Sequence, residues 1–257
     1  MTGVNAPAQI LEIWVGNGEK KAALSVVKML LLGILAGMFI GLGAHVFLMA
    51  TSAGGTPFEA MMAKLVGAAL FPVGLMCVIL CGAELFTGNN LMTLALSARK
   101  ITAAAMLKNW IFVYVGNFIG SVLTAWLLAG SGLYVGALAE RAMAVASAKV
   151  SMPPMEAVAR GILCNILVVL ACWMQAGATQ LIGKIFAIWF PIMLFVFAGF
   201  EHSIANMTYI PLGMMLGADV SVGALLVDDL LPVTIGNVIG GALFIPAFYH
   251  WSYAAKK

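Results

Sequence analysis

The chain has 257 residues, of which 63% are hydrophobic and 9% charged, with a mean hydropathy of +1.06 and a formal net charge of +3. Soluble domains carry about 25% charged residues, so this composition excludes an ordinary soluble protein, and the high hydrophobicity excludes a disordered chain. The small, dispersed positive charge does not indicate a nucleic-acid partner. The remaining class is a polytopic membrane protein with room for roughly six spans of about 20 residues.

The N-terminal segment, residues 1–26, precedes the first apolar run and carries both acidic and basic side chains. It lacks the small-residue cleavage site of a secretory signal peptide. Residues 8–16 are compatible with a short amphipathic helix that has Ile10, Leu11 and Trp14 on one side, and tryptophan favours the membrane interface. A frayed tail is the alternative.

Six apolar segments predict six transmembrane helices within one domain, residues 27–253, followed by a short tail, residues 254–257. Spans 2 and 5 are too long for single straight helices in a hydrocarbon core of about 30 Å, and each has a polar interruption. The six segments lie at about 27–50, 61–98, 104–130, 155–177, 181–217 and 231–253.

The distribution of charge predicts that both termini are cytoplasmic. In that orientation the inner side carries nine of the 13 basic residues, in agreement with the positive-inside rule. The outer side then carries six acidic residues, Asp228 and Asp229 among them, and the inner side two. The two acids that fall within spans are Glu84 and Glu201. The four outer basic residues are Lys64, Arg141, Lys149 and Arg160.

Three short motifs recur in the same order in two halves, residues 27–130 and 155–253, at separations of 128, 117 and 120 residues. They are Gly-Ile-Leu in spans 1 and 4, a Gly-x-Glu in the interruptions of spans 2 and 5, and Gly-Asn-x-Ile-Gly in spans 3 and 6. Each half has an odd number of spans, so the second half must be inverted. We therefore predict an all-α membrane protein with a 3+3 inverted repeat. Paired interrupted helices in such repeats indicate a transport site near the midplane.

The two interruptions, residues 84–90 and 201–206, place carboxylates and hydrogen-bonding groups at membrane depth. Non-helical backbone there must be buried in protein or line a water-filled cavity. The half-helix after each interruption begins with unsatisfied N–H groups and a positive dipole end, which together favour an anion. Several side chains could cap these ends or line the cavity: Thr87, Asn89, Asn90, Ser203 and Asn206.

Each ionisable residue in the interruptions has a functional and a structural interpretation. Glu84 and Glu201 could select cations, but their symmetric placement favours acceptance of backbone hydrogen bonds. His202 can change charge near neutral pH and could offer a proton to a passing anion, or it could be a neutral side chain held by hydrogen bonds. Its repeat counterpart is the apolar Leu85, so the fold does not require histidine, which favours a functional role.

Two further features are less informative by composition alone. Lys149 lies in the connection between spans 3 and 4, where a solvated loop lysine is the expected interpretation. The four cysteines have no histidine or acid at metal-ligand spacing, so the sequence predicts neither a metal site nor a cofactor.

The motifs around the interruptions resemble the two signatures of the formate/nitrite transporter family. Residues 81–88 read CGAELFTG, and residues 199–207 read GFEHSIANM. The segments at 108–110, 115–117 and 231–237 fit as well, so the resemblance covers nearly the whole chain.

The resemblance implies an aquaporin-like six-helix protomer, with interrupted helices 2 and 5, that assembles as a pentamer in the inner or plasma membrane. One pore is expected in each protomer. The expected solutes are small monovalent anions such as formate, nitrite and hydrosulfide, with protons as a further partner.

By motif, His202 matches the family's central pore histidine, Thr87 its partner, and Asn206 the asparagine that holds the histidine. Lys149 matches a loop lysine that adds positive potential above the pore, which reverses the interpretation from composition. Asn165 falls near the hydrophobic constrictions, which the family places at Phe71, Leu75, Leu85, Val168 and Phe195.

The residues after Thr87, Gly88-Asn89-Asn90, depart from the small hydroxyl residue of many formate channels and resemble the nitrite and hydrosulfide branches. Three other functions remain open at this point. An aquaporin-like water or neutral-solute channel would need Asn-Pro-Ala triplets, which the sequence lacks. A cation channel would use Glu84 and Glu201. A membrane enzyme has no nucleophile–base pair or metal-ligand cluster to support it.

Overall fold

The computed structural model describes residues 3–254. Within this range the regular secondary structure is helical, apart from one isolated bridge between Val4 and Ala178, and turns and loops connect the helices. Thirteen α-helices follow in chain order: α1 Pro7–Ala22, α2 Val26–Ala50, α3 Pro57–Leu70, α4 Val73–Cys81, α5 Phe86–Asn89, α6 Met92–Ser97, α7 Ala103–Gly130, α8 Gly136–Val150, α9 Pro154–Gly177, α10 Leu181–Ala198, α11 Ser203–Met215, α12 Leu231–Val238 and α13 Ile245–Tyr253. Two π-helical segments, Ala224–Leu230 and Ile239–Phe244, continue into α12 and α13.

Within the described residues, six helical stretches are long and apolar enough to cross a membrane, which confirms the predicted number of spans. The sixth begins at Ala224, seven residues before the predicted start at 231, because the π-helical segment Ala224–Leu230 extends it. The prediction that the sixth span begins after Asp228 and Asp229 is therefore wrong. Both belong to the first turns of the sixth span, and Asp229 is buried with 1% exposure.

The N-terminal segment forms a helix, α1, longer than the predicted 8–16. Ile10, Leu11 and Trp14 are buried on one side, as the periodicity predicts, and pack against Val169 and Trp173 of α9. The indole Nε1 of Trp14 also donates a hydrogen bond to the Cys172 carbonyl at 3.3 Å. The alternative of a frayed tail is therefore wrong.

The connection between spans 3 and 4 is also more ordered than predicted. Residues expected as a loop form the 15-residue helix α8, and Lys149 lies in its last turn. Ala142 and Ala146 of α8 are buried, and a Cβ added to Gly213 of α11 would collide with Ala146. Close packing against α11 therefore holds α8, and with it Lys149, over the second interruption.

Both interruptions are formed by the same local backbone. Gly82 after α4 and Gly199 after α10 adopt left-handed conformations, with φ of 83° and 79°. Glycine adopts this conformation without a steric penalty, so each helix ends there. An extended residue, Leu85 or His202, then precedes the half-helix α5 or α11.

Glycines bring the long helices of each half into backbone contact. A Cβ on Gly116 of α7 would collide with the Leu30 carbonyl of α2, and a Cβ on Gly236 of α12 would collide with the Val158 carbonyl of α9. Small residues permit such close approach of membrane helices. The two contacts correspond in the repeat, because Gly116 and Gly236 are 120 residues apart and Leu30 and Val158 are 128 residues apart. The inversion of the second half stays a prediction from the number of spans.

Candidate functional site

The residues predicted to form hydrophobic constrictions lie together around His202. One enclosed cavity of about 10 Å³ is lined by the histidine and by apolar side chains from four helices, from the α3–α4 connection and from the first interruption. Phe71 and Phe195 pack edge to face, with ring centroids 5.7 Å apart, and Phe195 stacks on the imidazole at 5.8 Å. The apolar lining residues are Ile40, Phe71, Leu75, Leu85, Val168, Ile192 and Phe195.

His202 and Thr87 meet across the two interruptions, as the motifs predict. The imidazole Nε2 lies 2.9 Å from the Thr87 hydroxyl, and both residues are buried. The imidazole Nδ1 accepts a hydrogen bond from the backbone N–H of Ala205 at 3.1 Å and so caps the N-terminus of α11.

This capping bond assigns the tautomer of His202. A backbone N–H can only donate, so Nδ1 carries no proton and Nε2–H donates to Thr87 Oγ1. The hydroxyl proton of Thr87 is then free for another acceptor. A second proton on the imidazole would displace the Ala205 cap and place a positive charge at a helix N-terminus, which both the lost bond and the dipole oppose.

Two buried asparagines hold the interruptions in place. Asn117 of α7 donates to the carbonyls of Gly33 and Glu84, at 2.8 and 2.9 Å, and accepts from the Phe86 N–H at 2.9 Å. Because the interruption removes intrahelical hydrogen bonds, the contacts with Glu84 and Phe86 satisfy backbone groups that would otherwise be buried without partners. The Gly33 carbonyl lies within the continuous helix α2, so that contact joins α2 to the interruption.

Asn237 of α12 repeats this arrangement in the second half. Its amide donates to the carbonyls of Gly161 and Glu201, both at 2.9 Å, and accepts from the Ser203 N–H at 3.0 Å. The Gly-Asn motif therefore has the same role in both halves, which sequence analysis did not assign.

Each carboxylate of the interruptions is paired with a lysine. Lys149 Nζ lies 2.7 Å from Glu201 Oε2, and Lys21 Nζ of α1 lies 2.6 Å from Glu84 Oε1. The side chains of Lys149 and Glu201 are 13% and 7% exposed, and those of Lys21 and Glu84 are 19% and 9% exposed. Lys21 and Lys149 are 128 residues apart, the separation of the Gly-Ile-Leu motif, and this signal could have identified Lys21 from the sequence.

The prediction that Asn206 holds His202 is wrong for its side chain. The amide Nδ2 of Asn206 donates instead to Glu201 Oε2 at 2.8 Å and to both oxygens of Asp229, at 2.9 and 3.0 Å. Only the backbone N–H of Asn206 contacts His202, through its carbonyl. Asn206 lies one turn into α11, so its side chain extends past the histidine toward the sixth span.

Asn165 is placed behind the pore residues rather than among them. Its Nδ2 lies within hydrogen-bond distance of the Thr87 carbonyl, the Asn90 side chain and the Asn237 carbonyl. The neighbouring Val168, one turn along α9, lines the cavity instead. Asn165 thus joins the first interruption to the second half of the chain.

A vestibule opens on either side of the enclosed cavity. The Lys149 vestibule, about 430 Å³, reaches the cavity at Phe71, Phe195 and His202. The Lys21 vestibule, about 240 Å³, reaches it at Leu75 and Leu85.

The vestibules differ in charge among the described residues. The Lys149 vestibule has four basic side chains and two acidic ones, a net charge of +2, whereas the only charged side chains of the Lys21 vestibule are Lys21 and Glu84. The four basic residues are those that the sequence assigns to the outer side: Lys64, Arg141, Lys149 and Arg160.

The chain is similar to characterised and uncharacterised transport proteins over nearly its whole length. A family described as "Formate/nitrite transporter" matches residues 8–251. The chain is 40% identical to "Uncharacterized transporter YrhG" of Bacillus subtilis, covering 97% of this chain and 94% of that protein. It is 37% identical to "Formate channel FocA" of Escherichia coli, covering 98% and 95%.

Two solved structures share the fold. One, described as "FNT family ion channel", is 30% identical and superposes with a TM-score of 0.87 over 95% of this chain and 98% of the other. The second, "Pentameric formate channel with formate bound", is 32% identical with a TM-score of 0.78 over 90% and 98%. The chain therefore belongs to the formate/nitrite transporter family, a family of multi-pass membrane transport proteins rather than enzymes.

Proposed function

We propose that the protein is a transmembrane channel or transporter for small monovalent anions of weak acids, namely formate, nitrite or hydrosulfide. The family and the relatives named formate channels support an anion pathway. The observation that carries the proposal is a small apolar cavity between two lysine-bearing vestibules, lined by His202, whose imidazole is hydrogen-bonded to the buried Thr87.

The apolar cavity is the main barrier to a charged solute, because a bare anion in such surroundings loses its hydration. A weak-acid anion avoids this cost if it crosses as the neutral acid. In one concerted step the anion takes the hydroxyl proton of Thr87, Oγ1 takes the Nε2 proton of His202, and a hydronium ion on the side from which the anion enters gives a proton to Nε2. The imidazole stays neutral, and the net reaction transfers one proton from hydronium to the anion. The acid then releases its proton in the opposite vestibule. Strong-acid anions have no such route and should cross slowly.

Two alternative functions are less compatible with the site. A cation channel needs carboxylates that are free to bind cations, but Glu84 and Glu201 are both neutralised by lysines. A water channel of the aquaporin type would have Asn-Pro-Ala at the two half-helix starts, where this chain has Phe86-Thr87-Gly88 and Ser203-Ile204-Ala205.

The proposal includes the location and assembly of the protein. The excess of basic residues near the termini favours a cell membrane with both termini cytoplasmic, so that the Lys21 vestibule faces the cytoplasm and the Lys149 vestibule the exterior. The solved relative described as pentameric favours a pentamer with one pathway in each protomer.

The test is flux into proteoliposomes with formate, nitrite, hydrosulfide and chloride across a range of pH. We expect the weak acids to cross faster as pH falls and chloride to cross poorly. His202→Asn is the matched control for folding, because asparagine can still cap α11 but cannot relay a proton. Proton-coupled flux at the normal rate in both His202→Asn and His202→Phe would overturn the relay. Equal permeation of chloride and formate would overturn the solute class.

A further inference from the structure

The polar network beside each interruption has four corresponding positions. In the Lys21 vestibule, Asn89 donates to Glu84 Oε2 at 2.7 Å and to Asn109 Oδ1 at 2.8 Å. Behind the Lys149 vestibule, Asn206 donates to Glu201, which lines the vestibule, and to Asp229, which is buried behind it. Asn109 and Asp229 are 120 residues apart, the separation of the Gly-Asn motifs in the same helices. A carboxylate therefore occupies, in one half, the position that an uncharged amide occupies in the other.

Asp229 is an unusual acid for its surroundings. It is 1% exposed, lies near the end of the π-helical segment Ala224–Leu230, and forms no ion pair within 4.0 Å with any residue of the described range 3–254. The charged and titratable groups that interact with it from neighbouring elements are Lys149 of α8, Glu201 of the second interruption and Tyr114 of α7. Its own neighbour Asp228 is exposed.

The charges of this network do not balance when every acid is ionised. One ammonium, Lys149, faces two carboxylates that share a single amide group, so the buried network would carry a net charge of −1. A buried net charge is costly, and two carboxylates in one site resist simultaneous ionisation. One bound proton removes the imbalance. The Lys21 network, with Asn109 in place of the acid, is neutral without it.

We propose that Glu201 and Asp229 together bind one exchangeable proton at the Lys149 vestibule. Loss of this proton places a negative charge beside the path of an incoming anion and engages Lys149 with two carboxylates instead of one. Weak-acid chemistry by itself makes anion permeation depend on pH. The shared proton adds a further dependence on the pH of the Lys149 side, and no such addition is expected for the pH of the Lys21 side. The effect on flux rests on the proposed function, whereas the proton site itself does not.

The proton is detected by infrared difference spectroscopy on the intact wild-type protein. The chain has only three aspartates, Asp219, Asp228 and Asp229, and only Asp229 is buried. We expect a protonated-carboxyl C=O band at neutral pH that shifts with isotope-labelled aspartate or glutamate and disappears in Asp229→Asn. A wild-type spectrum without this band at neutral pH overturns the proposal, and so does an unchanged band in Asp229→Asn. If the variant does not fold, the isotope-labelled wild type still shows whether the band belongs to a buried carboxyl group.

Flux measurements test the consequence with a matched pair of variants. At a constant concentration of the neutral acid, Asp229→Asn should abolish the dependence of flux on the pH of the Lys149 side. Asn109→Asp should create such a dependence on the Lys21 side. If flux through Asp229→Asn still depends on the pH of the Lys149 side, the proposed control of permeation from that side is overturned. Absence of anion flux in the wild type, with the infrared band present, rejects the proposed function alone.

Discussion

The Lys21 and Lys149 vestibules hold their carboxylates in the same way but surround them differently. In both, a glycine in left-handed conformation ends a helix, an asparagine from a later helix binds the exposed backbone, and a lysine from a preceding helix neutralises the glutamate. Only the network around Lys149 adds the buried Asp229, and only the Lys149 vestibule has a surplus of basic side chains. The groups that hold the backbone are thus the same in both halves, and those that face the solute differ.

The largest effect should come from removing the asparagines that bind the interruptions. Asn237→Ala and Asn117→Ala each leave two buried backbone groups of an interruption without their partner and remove a contact with a continuous helix. At about 1–3 kcal/mol for each unsatisfied group, either change should lower the free energy of unfolding by about 4 kcal/mol. Thermal unfolding in detergent measures this. A loss in only one variant would show that the two interruptions are not equivalent.

Replacement of the two paired lysines should have the next largest effect on stability. Lys149→Met and Lys21→Met each leave a buried glutamate without its counter-charge, a change that costs about 3 kcal/mol. Lys149→Met should be the more damaging, because Asp229 adds a second carboxylate there. The double variant Lys149→Met/Glu201→Gln serves as the control and should recover thermal stability. Equal losses of thermal stability in Lys149→Met and Lys21→Met would show that Asp229 does not add to the cost of losing the lysine.

A smaller effect is expected where α1 binds α9. Trp14→Phe keeps the ring but removes the hydrogen bond to the Cys172 carbonyl, worth about 1 kcal/mol. Amide hydrogen exchange should therefore become faster in α1 and stay unchanged in α8, which packs through Ala142 and Ala146 instead. Faster exchange in both helices would mean that the two vestibules are coupled.

The smallest effect should come from the surplus charges. Lys64→Gln or Arg141→Gln removes one positive charge from the Lys149 vestibule without breaking an ion pair within 4.0 Å. A unit charge about 10 Å from the solute in water contributes roughly 0.4 kcal/mol, so anion flux from that side should fall about two-fold at low salt. High salt should cancel the difference. Flux from the Lys21 side is the control.

Local patterns in the sequence predicted the six spans and both interruptions, and the resemblance to the family implied the meeting of His202 with Thr87. The motifs that carry them are short and contiguous, and hydropathy alone separates membrane helices from connections. The start of the sixth span was missed because Asp228 and Asp229 read as part of a polar loop, whereas Asn206 compensates the burial of Asp229.

One omission and one error arose because the deciding contacts are distant in sequence. The sequence analysis assigned no role to Lys21, which only the docking of α1 brings to Glu84, 63 residues away. The side chain of Asn206 could not be oriented from the motif, since the direction depends on its turn of α11 and on Asp229, 23 residues away.

The enclosed cavity at His202 has a consequence for the energetics of the cell. Its volume of about 10 Å³ is close to the minimum for a single water molecule, and its walls are apolar except for the imidazole. A chain of hydrogen-bonded waters does not fit in this volume, so a proton that crosses between the vestibules must travel with a solute or through side chains such as His202. We therefore expect a membrane that contains many copies of this protein to keep its proton-motive force when no weak acid is present.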